Sequence, residues 1–179
     1  MNNFRFSSRE ALASLGGSAS RYHHNLEALR ILKACEAEKR EATPSEQVSL
    51  SRYTGWGDTE VHKRAFPSGN AEQYAPDEQI AAILNQGERL SLEASVLNAH
   101  YTSLPIIASI YEALAHLGFS PIPNTPVRIL EPAIGGSGNF IGMLPEEWAA
   151  HSRIYGVEID PLSARIAKLL YPEAYIYNQ

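Results

Sequence analysis

Apolar residues recur along this chain in two rhythms, and the change from one to the other divides it. From Asn25 to about Glu41, Ala28, Leu29, Leu32 and Cys35 recur at helical spacing with Leu26 beside them, while Glu36, Glu38, Lys39, Arg40 and Glu41 decorate the last turns. That pattern predicts an amphipathic helix with a face to bury. Thr43-Pro-Ser-Glu46 reads as a capping box with proline at the first helical position, opening a short helix that carries Val48 and Leu50. Asp77–Gln86, with Ile80, Ile83 and Leu84 on one face, and Leu90–Leu97 predict two more helices. A stronger one holds Ile106, Ile107, Ile110, Tyr111, Leu114 and Leu117; Thr102 or Ser103 can cap it, Pro105 sits in its first turn and Gly118 ends it. Residues 1–20 are polar, rich in Ser and broken at Gly16-Gly17, so a mobile arm is expected over 1–24. Loops are expected over 67–76 and Ser120–Thr125.

The rhythm shortens after Thr125. Val127, Ile129 and Leu130 form an apolar strand bounded by Pro126 and Pro132. A second strand is expected from about Arg153 to Glu158, and a third over Ala174–Tyr177. Between them lie a helix starting at Asn139–Met143, a turn at Pro145, and a helix opened by Pro161 and ended by Pro172. Parallel strands joined in this way need right-handed crossovers, which gives half of a doubly wound sheet. The fold class is therefore α/β. A helical region over 25–97 is followed, over 98–179, by a Rossmann-like half with a three-stranded parallel sheet.

Composition narrows the classes. The chain has 179 residues, 44% hydrophobic and 20% charged, which is ordinary globular usage with enough length for a core. No apolar run reaches membrane-spanning length and Met-Asn-Asn-Phe-Arg-Phe is no signal peptide, so a cytoplasmic protein is expected. Cys35 is the sole cysteine, which excludes a disulfide framework and a cysteine zinc site. His23-His24 with His62 offers no convincingly spaced further ligand, and no metal is expected. The net charge of −5 hides a basic excess in residues 1–67, against a strongly acidic remainder. A nucleic-acid surface would belong to that first third, although a solvated helix face explains the excess equally well. Within Arg52-Tyr-Thr-Gly-Trp-Gly-Asp58, Trp56 reads first as the buried anchor of a turn. The functional alternative is an aromatic platform for a base beside Arg52, Lys63 and Arg64.

The chemistry concentrates in Thr125–Gly142. Gly135, Gly136 and Gly138 fall within four residues, where glycine permits positive φ and leaves no Cβ against a ligand. A strand entering a glycine turn that opens a helix is the layout of a nucleotide-binding crevice. Ile154-Tyr-Gly-Val-Glu-Ile-Asp160 ends in acids, and a carboxylate there can accept both hydroxyls of a ribose. Two ligand classes fit: a dinucleotide, on Gly136-x-Gly138 with Gly142 and Glu158, and S-adenosylmethionine (SAM). Glu131-Pro132 favours SAM, because a carboxylate before the glycine loop repels a pyrophosphate and suits an ammonium. A βα turn without any ligand is the plain alternative.

These residues resemble a known family. The C-terminal part is similar to the SAM-binding half of DNA adenine-N6 methyltransferases, and more specifically to the methylase region of very large helicase–methyltransferase proteins of phages and mobile elements. Asn98-Ala-His-Tyr-Thr-Ser103 is similar to that family's motif X. Leu130-Glu-Pro-Ala-Ile-Gly-Gly-Ser-Gly-Asn-Phe-Ile-Gly-Met-Leu-Pro145 resembles motif I and its extension, and the stretch from Tyr155 to Pro172 resembles motif II. Leu26–Lys33 and Arg52-Tyr-Thr-Gly-Trp-Gly57 match a helical leader, so the likeness covers most of residues 25–179.

The resemblance implies a SAM-dependent methyltransferase fold and a set of roles. Thr102 would bond the SAM carboxylate with Tyr101 beside it, and Glu131 would lie near the ammonium. Gly135, Gly136 and Gly138 would let the loop wrap the ligand, with Ala133, Asn139 and Phe140 in the same lining. Glu158 would bind the ribose hydroxyls and Ile159 would pack on the adenine. His100 is assigned no role. Motif I is one residue longer than the family pattern, through Gly135-Gly136. The family's catalytic Asp/Asn-Pro-Pro-aromatic motif is absent. The expected function is therefore the cofactor-binding segment of an adenine-specific DNA methyltransferase, inactive alone, with DNA as partner only of the whole enzyme. The alternatives are a non-catalytic SAM- or DNA-binding module acting with a partner chain, and a dinucleotide-dependent oxidoreductase fragment. The open edge of the first strand is expected to be covered by the N-terminal helices, by self-association, or by a chain supplying the missing half of the sheet.

Overall fold

A computed structural model describes residues 2–7, 15–66, 78–96, 101–119 and 127–179. The loops expected over 67–76 and Ser120–Thr125, and His100, lie outside the described residues.

The first helix, α1, spans Ser18–Glu38 and so begins inside the stretch expected to be a mobile arm. Tyr22 lies one turn before Leu26 and extends the buried stripe of Leu26, Leu29, Leu32 and Cys35. Serine and histidine neighbours hide that extension in the sequence. The helix stops before Glu41 because Lys39 adopts a left-handed conformation, φ 52°. Cys35 is buried on this stripe, with Arg40 Nη1 donating to its Sγ at 3.3 Å.

Helix α2, Pro44–Leu50, has the predicted capping box, with Glu46 N–H donating to Thr43 Oγ1 and Thr43 N–H to the Glu46 carboxylate. Helix α3, Thr59–Ala65, was not foreseen; Asp58 caps it by accepting from the Glu60 and Val61 amides. The helix expected over Asp77–Gln86 is broken at Asn85, giving α4, Glu78–Ile83, and α5, Gln86–Ser95. Asn85 and Glu88 form a second capping box, which accounts for the break. Helix α6, Leu104–His116, follows Ser103, whose side chain makes no capping bond. Gly118, φ 86°, closes it: the Gly118 and Phe119 amides donate to the Ala115 and Leu114 carbonyls.

Strands β1 (Val127–Glu131), β2 (Ser152–Glu158) and β3 (Tyr175–Asn178) form one parallel sheet in the order β1-β2-β3. The links are α7 (Asn139–Gly142) and α8 (Glu146–Ala150) before β2, then α9 (Pro161–Leu170) before β3. The chain is thus α/β, with the expected half of a doubly wound sheet. Ile154 and Ile176 share one buried cluster with Leu162, Ile166 and Leu170 of α9 and with Leu26, Leu29, Leu50 and Leu92 of the helical region. Helix α9 is therefore sandwiched between the sheet and α1, α2 and α5. Glu88 bonds Lys33 of α1 and Arg165 of α9, tying these layers at their rim. Burial opposes its charge, but these donors and the Asn85 amide outweigh it and bring the carboxyl down to about 2.

Residues 2–7 also depart from the mobile arm. Phe4 N–H donates to Leu170 O at 2.7 Å and Phe6 N–H to Gly142 O at 3.0 Å. Arg5 reaches Leu144 O at 2.6 Å. Phe4 is buried and stacks edge-on against Phe6. Two phenylalanines in a polar setting make too short a pattern to announce a docked strap.

Side chains alternate across the strands. Ile129, Ile154 and Ile176 point toward α9 and the helices beside it. Arg128, Leu130, Arg153, Tyr155, Tyr175 and Tyr177 point the other way, where Leu130 is 63% exposed and the last two tyrosines are about half exposed. No described helix covers that face and no described strand pairs with the outer edge of β1. Among the described residues, α1, α2 and α5 pack on α9 rather than on the outer edge of β1. Among the described residues, no helix is long and apolar enough to cross a membrane.

Candidate functional site

β1 and β2 each end in a carboxylate, Glu131 and Glu158, and a cleft of about 490 Å³ opens beside both. This is where ligands bind in open parallel sheets, outside the carboxyl ends of the strands. The turn after β1 is fixed amide by amide. Ala133 N–H donates to Glu131 Oε1 at 3.1 Å, Ile134 N–H to Val157 O at 3.0 Å, and Gly136 N–H to the Tyr101 hydroxyl at 3.1 Å. Gly135 N–H donates to Glu158 Oε2 at 2.8 Å, while Asp160 N–H donates to Oε1 at 2.8 Å. Glu158 therefore joins the turn after β1 to the turn after β2. A carboxylate has roughly four lone-pair sites, so about two are left unused by these bonds.

Tyr101, Thr102, Glu131, Ala133, Gly135, Asn139, Phe140, Glu158 and Ile159 all line the cleft. Gly136 and Gly138 do not line it. A Cβ on Gly136 would lie 2.4 Å from Tyr53 Cδ1, and one on Gly138 2.3 Å from Tyr171 Cε2. These glycines make room for tyrosine rings of the protein itself. Gly135 is the glycine that faces the cleft, held at φ 66° with the Tyr101 ring against its Cα. The Tyr171 hydroxyl is shared between the carbonyls of Ser137 and Gly138, and its burial pushes its pKa well up, so it stays a donor. Burial likewise raises the Tyr101 hydroxyl. Asn139 Nδ2 donates to Thr102 O at 3.0 Å, and the Tyr111 hydroxyl donates to Phe140 O at 2.6 Å. The chain before α6 is thereby tied to α7.

The two acids at the end of β2 and in the turn that follows it are separated by their work. Asp160 is buried and caps α9, accepting from the Leu162 and Ser163 amides and from the Ser163 and Ser91 hydroxyls. Glu158 is the one that keeps free acceptor capacity.

The helical region supplies a wall that the sequence reading missed: Tyr53 and Gly55 after α2, and Ser91 and Ala94 on α5, line the same cleft. Buried Asn25 holds the turn, donating to Gly55 O at 2.6 Å and accepting from Thr54 N–H at 2.9 Å. The available signal was an asparagine on the apolar stripe of α1, since a buried amide must find partners. Trp56 is fully buried, edge-on to Tyr22 at 6.1 Å. It anchors the turn and has no free face for a base, which removes the platform. Arg52, Lys63 and Arg64 are exposed and none lines the cleft; Lys63 pairs with Glu60 at 2.8 Å. Among the described residues no group of three or more His, Cys, Asp or Glu is placed to hold a metal ion.

No protein-family model, curated protein or solved structure matches this chain.

Proposed function

We propose that this chain is the SAM-binding segment of an adenine-specific DNA methyltransferase. One observation carries the reading: two carboxylates end adjacent parallel strands and flank a cleft whose floor is the Gly135 turn. The volume, about 490 Å³, lies within the usual range for a cofactor site. In this reading Glu131 faces the ammonium, Thr102 the carboxylate, Glu158 the ribose hydroxyls and Ile159 the base. The bound cofactor would supply an activated methyl on sulfur. The chain's own part is to orient it. A dinucleotide fits less well, because both acids repel a pyrophosphate and α7, at 4 residues, has little aligned dipole to offset them. The sequence contains no Asp/Asn-Pro-Pro-aromatic motif to hold an adenine amino group, so methyl transfer by this chain alone is not expected. DNA is then a partner of the whole enzyme.

Titration calorimetry with S-adenosylhomocysteine and NAD tests the proposal. Binding of the first and not the second is expected; tighter NAD binding overturns it. A non-catalytic SAM-binding module working with a partner chain is the second reading, favoured by the uncovered tyrosine face and the open β1 edge.

A further inference from the structure

We infer that α5 forms the second wall of a slot for the planar ring of the ligand, with Ala94 opposite Ile159, so that Ala94 sets which rings can enter. The inference rests on the reading of the cleft as a site for an adenosine-bearing ligand.

Ile159 follows Glu158 directly, lines the cleft, and is 73% exposed, a large apolar side chain left in the open at the strand end. A base is joined to its ribose, so a ribose at Glu158 puts the ring beside residue 159. A ring packed on one apolar side chain leaves its other face in water. Binding sites for such rings usually cover both faces. Two parts of the described cleft wall are tied to this spot: Gln179, a polar residue at the end of the neighbouring strand whose N–H donates to Glu158 O at 3.2 Å, and α5, which approaches from the helical region. Ser91 Oγ donates to Asp160 Oδ1 at 3.1 Å, which pins α5 one residue away from Ile159. Ala94 lies three residues beyond Ser91, on the same face of the helix, and lines the cleft with it.

The wall is rigid. Helix α5 is fixed by its capping box, by Glu88 bonded to Lys33 and Arg165, and by Leu92 in the core. A methyl at residue 94 leaves room for a ring; a bulky side chain there would occupy the slot. Because Ala94 is exposed, such a change should not disturb the fold.

The test compares Ala94→Trp with Leu90→Trp, an exposed position of the same helix that does not line the cleft. Calorimetry with S-adenosylhomocysteine and with adenosine reads binding, and thermal melts check folding. Ala94→Trp is expected to weaken both ligands by about tenfold or more with an unchanged melt, and Leu90→Trp to leave both alone. Binding by Ala94→Trp at the unsubstituted affinity removes the slot and leaves the SAM reading standing. Equal losses in the two variants also remove it, since the effect then belongs to α5 as a whole. Failure of the unsubstituted chain to bind either ligand takes down the SAM reading and the slot together.

Discussion

The two faces of the sheet are made by the same three strands and live in different surroundings. On one, Ile129, Ile154 and Ile176 meet α9, and beyond α9 lie α1, α2 and α5. On the other, Leu130, Tyr175 and Tyr177 are exposed, Tyr155 stacks on Tyr175 at 5.2 Å, and Arg128 and Arg153 add charge. All-parallel sheets normally carry helices on both faces. Among the described residues, the packed helices and the helical wall of the cleft lie on one side only. The wall residues Tyr53, Ser91 and Ala94 reach the strand ends over the covered side, through α9. The bare face holds no part of that chain of contacts.

Core truncation should break the symmetry most. Ile166→Ala, fully buried under the helical region, is expected to cost about 2–5 kcal/mol, against about 0.5 kcal/mol or less for Leu130→Ala on the bare face. Urea denaturation measures both, and equal costs would mean the bare face is buried in solution. Next in size is the division of labour at the end of β2. Glu158→Ala should weaken S-adenosylhomocysteine by about 1.5–3 kcal/mol. Asp160→Ala should instead lower stability by about 1–2 kcal/mol through the lost cap of α9. Calorimetry and melts on both variants separate these, and identical profiles would show the roles wrongly divided.

An acid titration probes the rim of the covered side. The Glu88 carboxyl titrates near 2 in the folded protein, below its ordinary 4.5, so its contribution is present above 4.5 and is lost as pH falls toward 2. Melting temperature should fall across that window, and Glu88→Gln should flatten this part of the fall while lowering stability at neutral pH. A slope unchanged by the substitution would mean the bonds to Lys33 and Arg165 are not held in solution. The smallest effect belongs to the bare face: Leu130→Lys and Tyr177→Lys should leave the melt almost unchanged. Both should reduce concentration-dependent light scattering, because a lysine on an exposed sheet discourages pairing.

What the sequence made legible follows from how local each feature is. Proline and glycine punctuation marks β1, α6 and α9 within a residue or two, because the caps act on their own neighbours. The strand-end acids are legible for the same reason. Glycine is less informative: Gly136 and Gly138 announce that a Cβ does not fit, without saying that Tyr53 and Tyr171 are what it would strike. The Tyr53 and α5 walls were out of reach, because they depend on where the helical region docks, through contacts between residues as distant as Ser91 and Asp160. The strap at Phe4 and Phe6 rests on carbonyls of Leu170 and Gly142, which no pattern in the first residues foretells.

Cys35 gives the covered side a built-in clock. It is the chain's single thiol, buried in the stripe of α1, and burial raises its pKa so that little thiolate forms while the helix is docked. An alkylating reagent can then reach it only when α1 lifts away from the layers beneath. The pace of that one modification counts openings of the helical layer directly. A ligand that bridges the sheet and the helical wall should slow it.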